Sequence, residues 1–322
     1  MEETLAGNKS EGSSGKDWAL ILGASSGFGG ATSIELAKNG FNIFGVHFDR
    51  AATMPQVNEI IEKIKSSGSK AVFYNINAVD EKAREKSLDE MKQIVLSAGQ
   101  RLVHAPSGRE TSTSRVVDRW DSSRSFGQDK DASIKVIMHS LAFGSLGPYF
   151  GKTPEDSMNR KRVEMTLDVM ANSLVYWTQG VFFRGLLKKG GRIFAMTSSG
   201  GHTVLPNYGA VSAAKAALES HIRQIAMELG PYGVTANSIM AGVTDTPALR
   251  KIPNAGPMLE IARRKNPTSR VTTPEDVAKA IALLCDERAH FISGNLIGVD
   301  GGEDIVSYIG QRSPQDLGDG TV

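Results

Sequence analysis

The chain is poor in cysteine: Cys285 is the single thiol in 322 residues. No intramolecular disulfide can form, which suits a reducing compartment and sets the cytoplasm as the expected location. Cys285 lies in the apolar run "IALLC" and is expected to be a buried thiol. No run of about 18 apolar residues occurs, so no membrane span is expected. The opening stretch "MEETLAGNKSEGSSGK" has no apolar core and does not read as a secretory signal. Residues 1–15 and 307–322 are expected to be polar tails around one domain over residues 16–306. The formal net charge is only +2, which makes no case for nucleic acid as a partner. His139 and His202 have no Cys, His or Asp neighbours at ligand spacing, so no metal is assigned.

What the chain does have is apolar patterning, with 40% hydrophobic residues. Short apolar runs at 18–23, 41–48, 70–77, 134–142, 192–199, 233–240 and 295–300 read as buried strands. Amphipathic stretches such as "VNEIIEKIKSSG" and "VEMTLDVMANSLVYWTQGVFF" lie between them. This alternation predicts an α/β fold, a Rossmann-type doubly wound parallel sheet of seven strands in a single domain. The polar stretch from about 100 to 133 interrupts it. Its recurring Arg109, Arg115, Arg119 and Arg124 make it either an exposed insertion or a docking surface.

The first strand runs into "GASSGFGG", where Gly23, Gly27 and Gly29 follow a G-x-x-x-G-x-G pattern. Glycines there permit a tight turn and let backbone approach a pyrophosphate at the start of a helix. Placed between a strand and an amphipathic helix, the pattern predicts dinucleotide binding by Gly23, Ser25, Ser26, Gly27, Phe28 and Gly29. The second strand ends in "GVHFDR". There Asp49 would suit the ribose hydroxyls of NAD and Arg50 the 2′-phosphate of NADP, so the cofactor is NADPH or NADH. Asn77 is either an adenine contact or a strand-end turn residue.

"NYGAVSAAK" places Tyr208 and Lys215 with six residues between them. With "GASSGFG", "MTSSGG", "NSIMAGVTDT" and "GVDGG", it resembles the short-chain dehydrogenase/reductase superfamily over roughly residues 17 to 306, insertion apart. Within it the chain is most similar to the enoyl-acyl carrier protein reductases. Ordinary superfamily members would carry the tyrosine at Val211, four residues before Lys215. They have Asn-Asn-Ala-Gly where this chain has "HSLAFG", an asparagine at Met170, and Pro-Gly at Ala241-Gly242. Seven helical steps of about 100° fall about 20° short of two turns, so Tyr208 and Lys215 would share a face roughly 10 Å apart.

That wider gap suits conjugate reduction, in which charge develops on a carbonyl oxygen remote from the carbon that receives hydride. The resemblance implies Tyr208, Lys215 and Ser198 as catalytic residues, Lys215 also holding the nicotinamide ribose. It implies cofactor contacts from Ser140, Ala142, Gly242, Thr244 and Thr246. Thr246 reads equally as a helix cap, and Ser198 as a residue that satisfies backbone at a strand end. Many enoyl reductases carry a second tyrosine where this chain has Ser198. The same position holds the catalytic serine of ordinary carbonyl reductases, which keeps 3-ketoacyl or carbonyl reduction as the alternative.

The implied substrate is an enoyl thioester on acyl carrier protein or coenzyme A, in fatty-acid or polyketide synthesis. Leu249, Ile252, Met258, Leu259 and Ile261 would line an acyl tunnel or else be core. Arg263, Arg264 and Lys265 would be a docking run or a solvated one. A homotetramer is implied, with "LVYWTQGVFF" as interface or core.

Overall fold

All seven apolar runs form strands in the computed structural model, which describes residues 16–99, 132–252 and 255–307. They are β1 (Trp18–Leu22), β2 (Asn42–His47), β3 (Ala71–Asn75), β4 (Ile134–His139), β5 (Arg192–Thr197), β6 (Thr235–Ala241) and β7 (Leu296–Val299). They pair in parallel in the order β3-β2-β1-β4-β5-β6-β7. Every residue of β1, β2 and β5 is buried, because helices cover both sheet faces. The edge strands are the less buried ones: β3 is half-buried, and β7 alternates exposed with half-buried residues. The expected tail at 1–15 and most of the expected insertion and C-terminal tail lie outside the described residues.

The eight helices among the described residues are α1 (Gly27–Lys38), α2 (Met54–Ser66), α3 (Glu81–Gly99), α4 (Arg160–Leu167), α5 (Ser173–Phe183), α6 (Gly209–Leu229), α7 (Ala255–Lys265) and α8 (Pro274–Leu284). Alternation along β1 sorts them. Trp18, Leu20 and Leu22 face a core shared with Leu88 of α3, Trp177 of α5 and Leu218 of α6. Ala19 and Ile21 face the other core, built with Leu36 of α1, Ile60 of α2 and Ile281 of α8. Cys285 caps α8 and is only partly buried by area, although its surroundings push the thiol up to about 12.

Several strands stop short of their apolar runs. β3 ends at Asn75 because its partner β2 ends at His47, to whose carbonyl Ile76 donates the last bond. Asn77 therefore does not end the third strand; it sits two residues beyond, exposed, with its side chain accepting from the Val79 amide. β4 stops at His139, level with Leu22 of β1 and Ala195 of β5, so "SLAFG" leaves the sheet. Between α4 and α5 the helix widens into a π turn, Asp168–Asn172, containing Met170. Such turns recur at functional sites.

Candidate functional site

The glycine turn of β1–α1 is closed by backbone contacts that no side chain would tolerate. Gly23 has φ +90°, and a Cβ on it would stand 2.5 Å from the Ser140 carbonyl oxygen; a Cβ on Gly29 would overlap the Gly23 carbonyl. Ser26 caps α1 without a side-chain bond, and the first turn carries no acidic residue. The leading amides of α1 are thus left for an anionic group. Phe28 packs on the α1–α8 side of the sheet. Ser140 joins the turn by donating its amide to Leu22, while Ala142 is exposed just beyond.

Asp49 is held at the end of β2 and aimed at the same turn. Its carboxylate meets His47 Nδ1 at 3.0 Å and accepts from Thr53 Oγ1 at 2.7 Å. Burial works to raise its pKa, but hydrogen bonds from Ser25, Thr53 and His47 outweigh this and hold it below the usual carboxylate value. Asn75 fixes the Asp49 backbone, accepting from its amide at 3.0 Å and donating to its carbonyl at 2.9 Å. Asn75 is thus the asparagine that braces Asp49. Arg50 is exposed.

From β6 the segment Gly242 to Thr246 returns across the glycine turn. A Cβ on Gly27 would stand 3.5 Å from the Thr246 methyl. Thr244 is buried and donates its hydroxyl to Gly242 at 2.9 Å. Thr246 Oγ1 accepts from the Leu249 amide at 3.2 Å, while the cap of the short turn that follows, Leu249–Lys251, is Ala248. The Thr246 hydroxyl proton remains available to a ligand. A closed glycine turn, open helix amides and an anion at the end of β2 fit a dinucleotide.

Tyr208, Ser198 and Lys215 come together at the end of β5. Tyr208 does not start the helix: it is the N-cap of α6, with φ −104° and ψ 2°. The turn into it passes through Asn207 at φ 62°, a left-handed conformation that asparagine accepts better than most residues. Tyr208 is 9% exposed. Burial raises its pKa, and a hydrogen bond with Ser198 opposes this, so the phenol stays protonated at neutral pH. Ser198 also accepts from the Gly200 amide at 3.1 Å, so it satisfies strand-end backbone while touching Tyr208.

Lys215 is buried, and its Nζ donates to the Met196 carbonyl at 2.7 Å. Burial brings its pKa down to about 8, against the charge of Glu219 one helical turn on. Glu219 accepts from Thr197 Oγ1 at 2.5 Å. The ammonium is therefore retained at neutral pH inside the protein, two of its donors left over for ligand.

Three further residues pack into this region, and of them only His139 belongs to a segment the sequence singled out, "HSLAFG". His139 is fully buried at the end of β4, its Nε2 2.8 Å from Ser173 Oγ. Ser173 gives its proton to Val169 at 2.8 Å, so His139 must be the donor and is neutral. Burial first, then the Lys215 charge, hold it to about 3. Glu219 is the second, and its i+4 spacing from Lys215 was the available signal. Tyr149 is the third: a Cβ on Gly209 would stand 2.7 Å from its ring, next to Tyr208.

Of the expected acyl-tunnel residues, Leu249 is buried, Ile252, Met258 and Leu259 are half-buried, and Ile261 is exposed. Arg263 and Arg264 both pair with Glu260, at 3.1 and 2.8 Å.

Comparison with known proteins agrees with this layout. Residues 115–303 match the family model described as enoyl-(acyl carrier protein) reductase, and residues 17–103 match the short chain dehydrogenase model. The NADH enoyl-[acyl-carrier-protein] reductase of Escherichia coli strain K12 is 31% identical over 193 residues, covering 55% of this chain and 72% of the relative. Its counterpart from Aquifex aeolicus is 29% identical over 190 residues, covering 59% and 69%. The crystal structure of the Aquifex enzyme superposes with a TM-score of 0.69 at 20% identity, covering 91% of this chain and 98% of that one. A short-chain dehydrogenase/reductase from Serratia marcescens superposes at 0.68 with 19% identity, covering 89% and 98%.

Proposed function

This chain belongs to the enoyl-(acyl carrier protein) reductase family of short-chain dehydrogenases, and from that premise we propose that it uses NADH to reduce the 2,3 double bond of an enoyl thioester on acyl carrier protein in fatty-acid synthesis. The observation that carries the reading is the position of Tyr208: a buried, protonated phenol outside the first turn of α6, bonded to Ser198, with the buried Lys215 seven residues on.

A bound nicotinamide supplies the hydride. Tyr208 then serves the thioester carbonyl oxygen, donating a hydrogen bond that strengthens as negative charge gathers there in the enolate. Ser198 orients the phenol. Lys215 places a positive charge in a dry environment, where its attraction for the developing anion is little screened, and its free donors hold the cofactor ribose. Glu219 keeps that charge in place.

Asp49 supports NADH over NADPH. Its carboxylate is fixed toward the glycine turn, where it can accept from ribose hydroxyls and would repel a 2′-phosphate. The segment with Thr244 and Thr246 is read as the cover of the nicotinamide end. The basic end of α7 is the candidate docking face for an acidic carrier protein, with the exposed Arg263 and Arg264 held by Glu260 and Lys265 half-buried beside them.

A homotetramer is supported by two apolar surfaces. One is on α5, where Phe183 is 70% exposed; the other follows the β7 edge, with Leu296 and Phe291 exposed. Among the described residues no helix is long and apolar enough to cross a membrane, and a lone, half-buried cysteine suits the cytoplasm. The test is a matrix of NADH or NADPH against crotonyl and 3-ketoacyl thioesters, followed at the nicotinamide absorbance. NADH oxidation with the crotonyl thioester is expected; turnover of 3-ketoacyl thioesters alone would defeat the reading.

A further inference from the structure

Beyond β7 the chain reverses sharply. Gly301 and Gly302 have φ +64° and +84°, and Asp300 braces the reversal by accepting from the Gly302 amide at 3.0 Å and the Asp304 amide at 2.8 Å. Asn266, just past α7, locks the same corner by donating to the Asp300 carbonyl at 2.7 Å. The product of this construction is the position of one carboxylate. Glu303 is only 8% exposed, and its two oxygens lie 3.3 and 3.2 Å from the Val243 amide.

The fit is close enough to dictate a neighbour. A Cβ on Gly242 would stand 2.7 Å from Glu303 Oε2 and 2.5 Å from Thr272 Oγ1. Glu303 makes no ion pair within hydrogen-bonding reach among the described residues; Lys265 of α7 acts on it only at longer range. A buried carboxylate is costly, and here it is directed at a backbone amide. That amide starts the segment whose Thr246 methyl lies over Gly27 of the glycine turn.

We propose that Glu303 is a positioning residue: by accepting from the Val243 amide it fixes the Gly242–Thr246 segment over the glycine turn, and so sets the affinity for the nicotinamide end of the cofactor. It acts through that segment rather than on the cofactor itself. The inference rests on the reading of Thr244 and Thr246 as the cover of the nicotinamide. It also ties the cofactor cover to α7, because the loop that presents Glu303 is held by Asn266.

Two variants separate reach from charge. Glu303→Asp keeps the charge but is one methylene too short, and Glu303→Gln keeps the reach and an acceptor oxygen. NADH affinity is measured by isothermal titration, and amide hydrogen exchange is measured over residues 242–249 in the protein without cofactor. Glu303→Asp should weaken NADH about tenfold, the equivalent of one charge-assisted hydrogen bond, and exchange faster in that segment. Glu303→Gln should stay within roughly threefold of the parent in both.

NADH affinity and exchange unchanged in Glu303→Asp would overturn the proposal. Both variants equally weak, and both melting far below the parent, would reduce Glu303 to a fold residue and overturn it too. Faster exchange in the segment with NADH affinity intact would instead defeat the reading of the segment as a cofactor cover, and Glu303's role with it.

Discussion

At the turn between β1 and α1, shape is set by backbone alone: glycines in contact with carbonyls, and helix amides without a side-chain cap. At the start of α6 the opposite holds. There Tyr208, Lys215 and Glu219 are long side chains drawn under the surface, and burial has moved the pKa of the first two. The first region can bind a phosphate without any titrating group, so its function is indifferent to pH. The second works through protons and charges held away from water, so its function depends on pH and on each partner that keeps a charge in place.

The largest expected effect on cofactor binding comes from adding one methyl to the backbone-built region. Gly29→Ala would drive a Cβ into the Gly23 carbonyl. Titration should show NADH affinity falling on the order of 100-fold or more, since the overlapped atoms belong to backbone rather than to a flexible side chain that can give way. A variant that binds NADH normally would show that the turn yields to a Cβ at this position.

A smaller effect is expected at Asp49, where the two design principles meet. Asp49→Ser removes the anion that disfavours a 2′-phosphate and leaves Arg50 beside it. The kcat/KM ratio for NADPH over NADH should rise roughly tenfold. An unchanged ratio would take cofactor choice away from the end of β2.

The smallest effect sharpens the side-chain-built region. Lys215 is charged below about 8 and neutral above it. The kcat should therefore fall as pH rises through that value, because the charge facing the enolate is lost. Glu219 pulls the Lys215 pKa upward, so Glu219→Gln should shift this alkaline limb to lower pH. The amide oxygen can still accept from Thr197. At pH 8 the rate should drop on the order of twofold. A limb that does not move would detach Glu219 from the Lys215 charge.

How much of this was legible in the sequence follows the same division. The glycine turn, the seven strands and the Tyr208–Lys215 spacing are local patterns, legible from neighbouring residues alone. Strand ends were overextended at β3 and β4 because a strand stops where its neighbours stop, which its own residues do not encode. The same cause puts Asn77 beyond the third strand rather than at its end, and places Asn75 against Asp49 by register with His47. Glu303 meets Val243 across 60 positions of sequence, and His139 meets Ser173 across 34, so neither pairing leaves a local trace. Thr246 and Ser198 each accept from a backbone amide while keeping a hydroxyl next to the site, and no local pattern separates those two uses of one side chain.

The most direct test of the account is the turnover of crotonyl thioester with NADH by Tyr208→Phe, alongside NADH affinity measured by titration. The kcat should fall by roughly 100- to 1,000-fold with NADH affinity unchanged, because the ring still packs while the donor to the enolate oxygen is gone. Full turnover by Tyr208→Phe would contradict it.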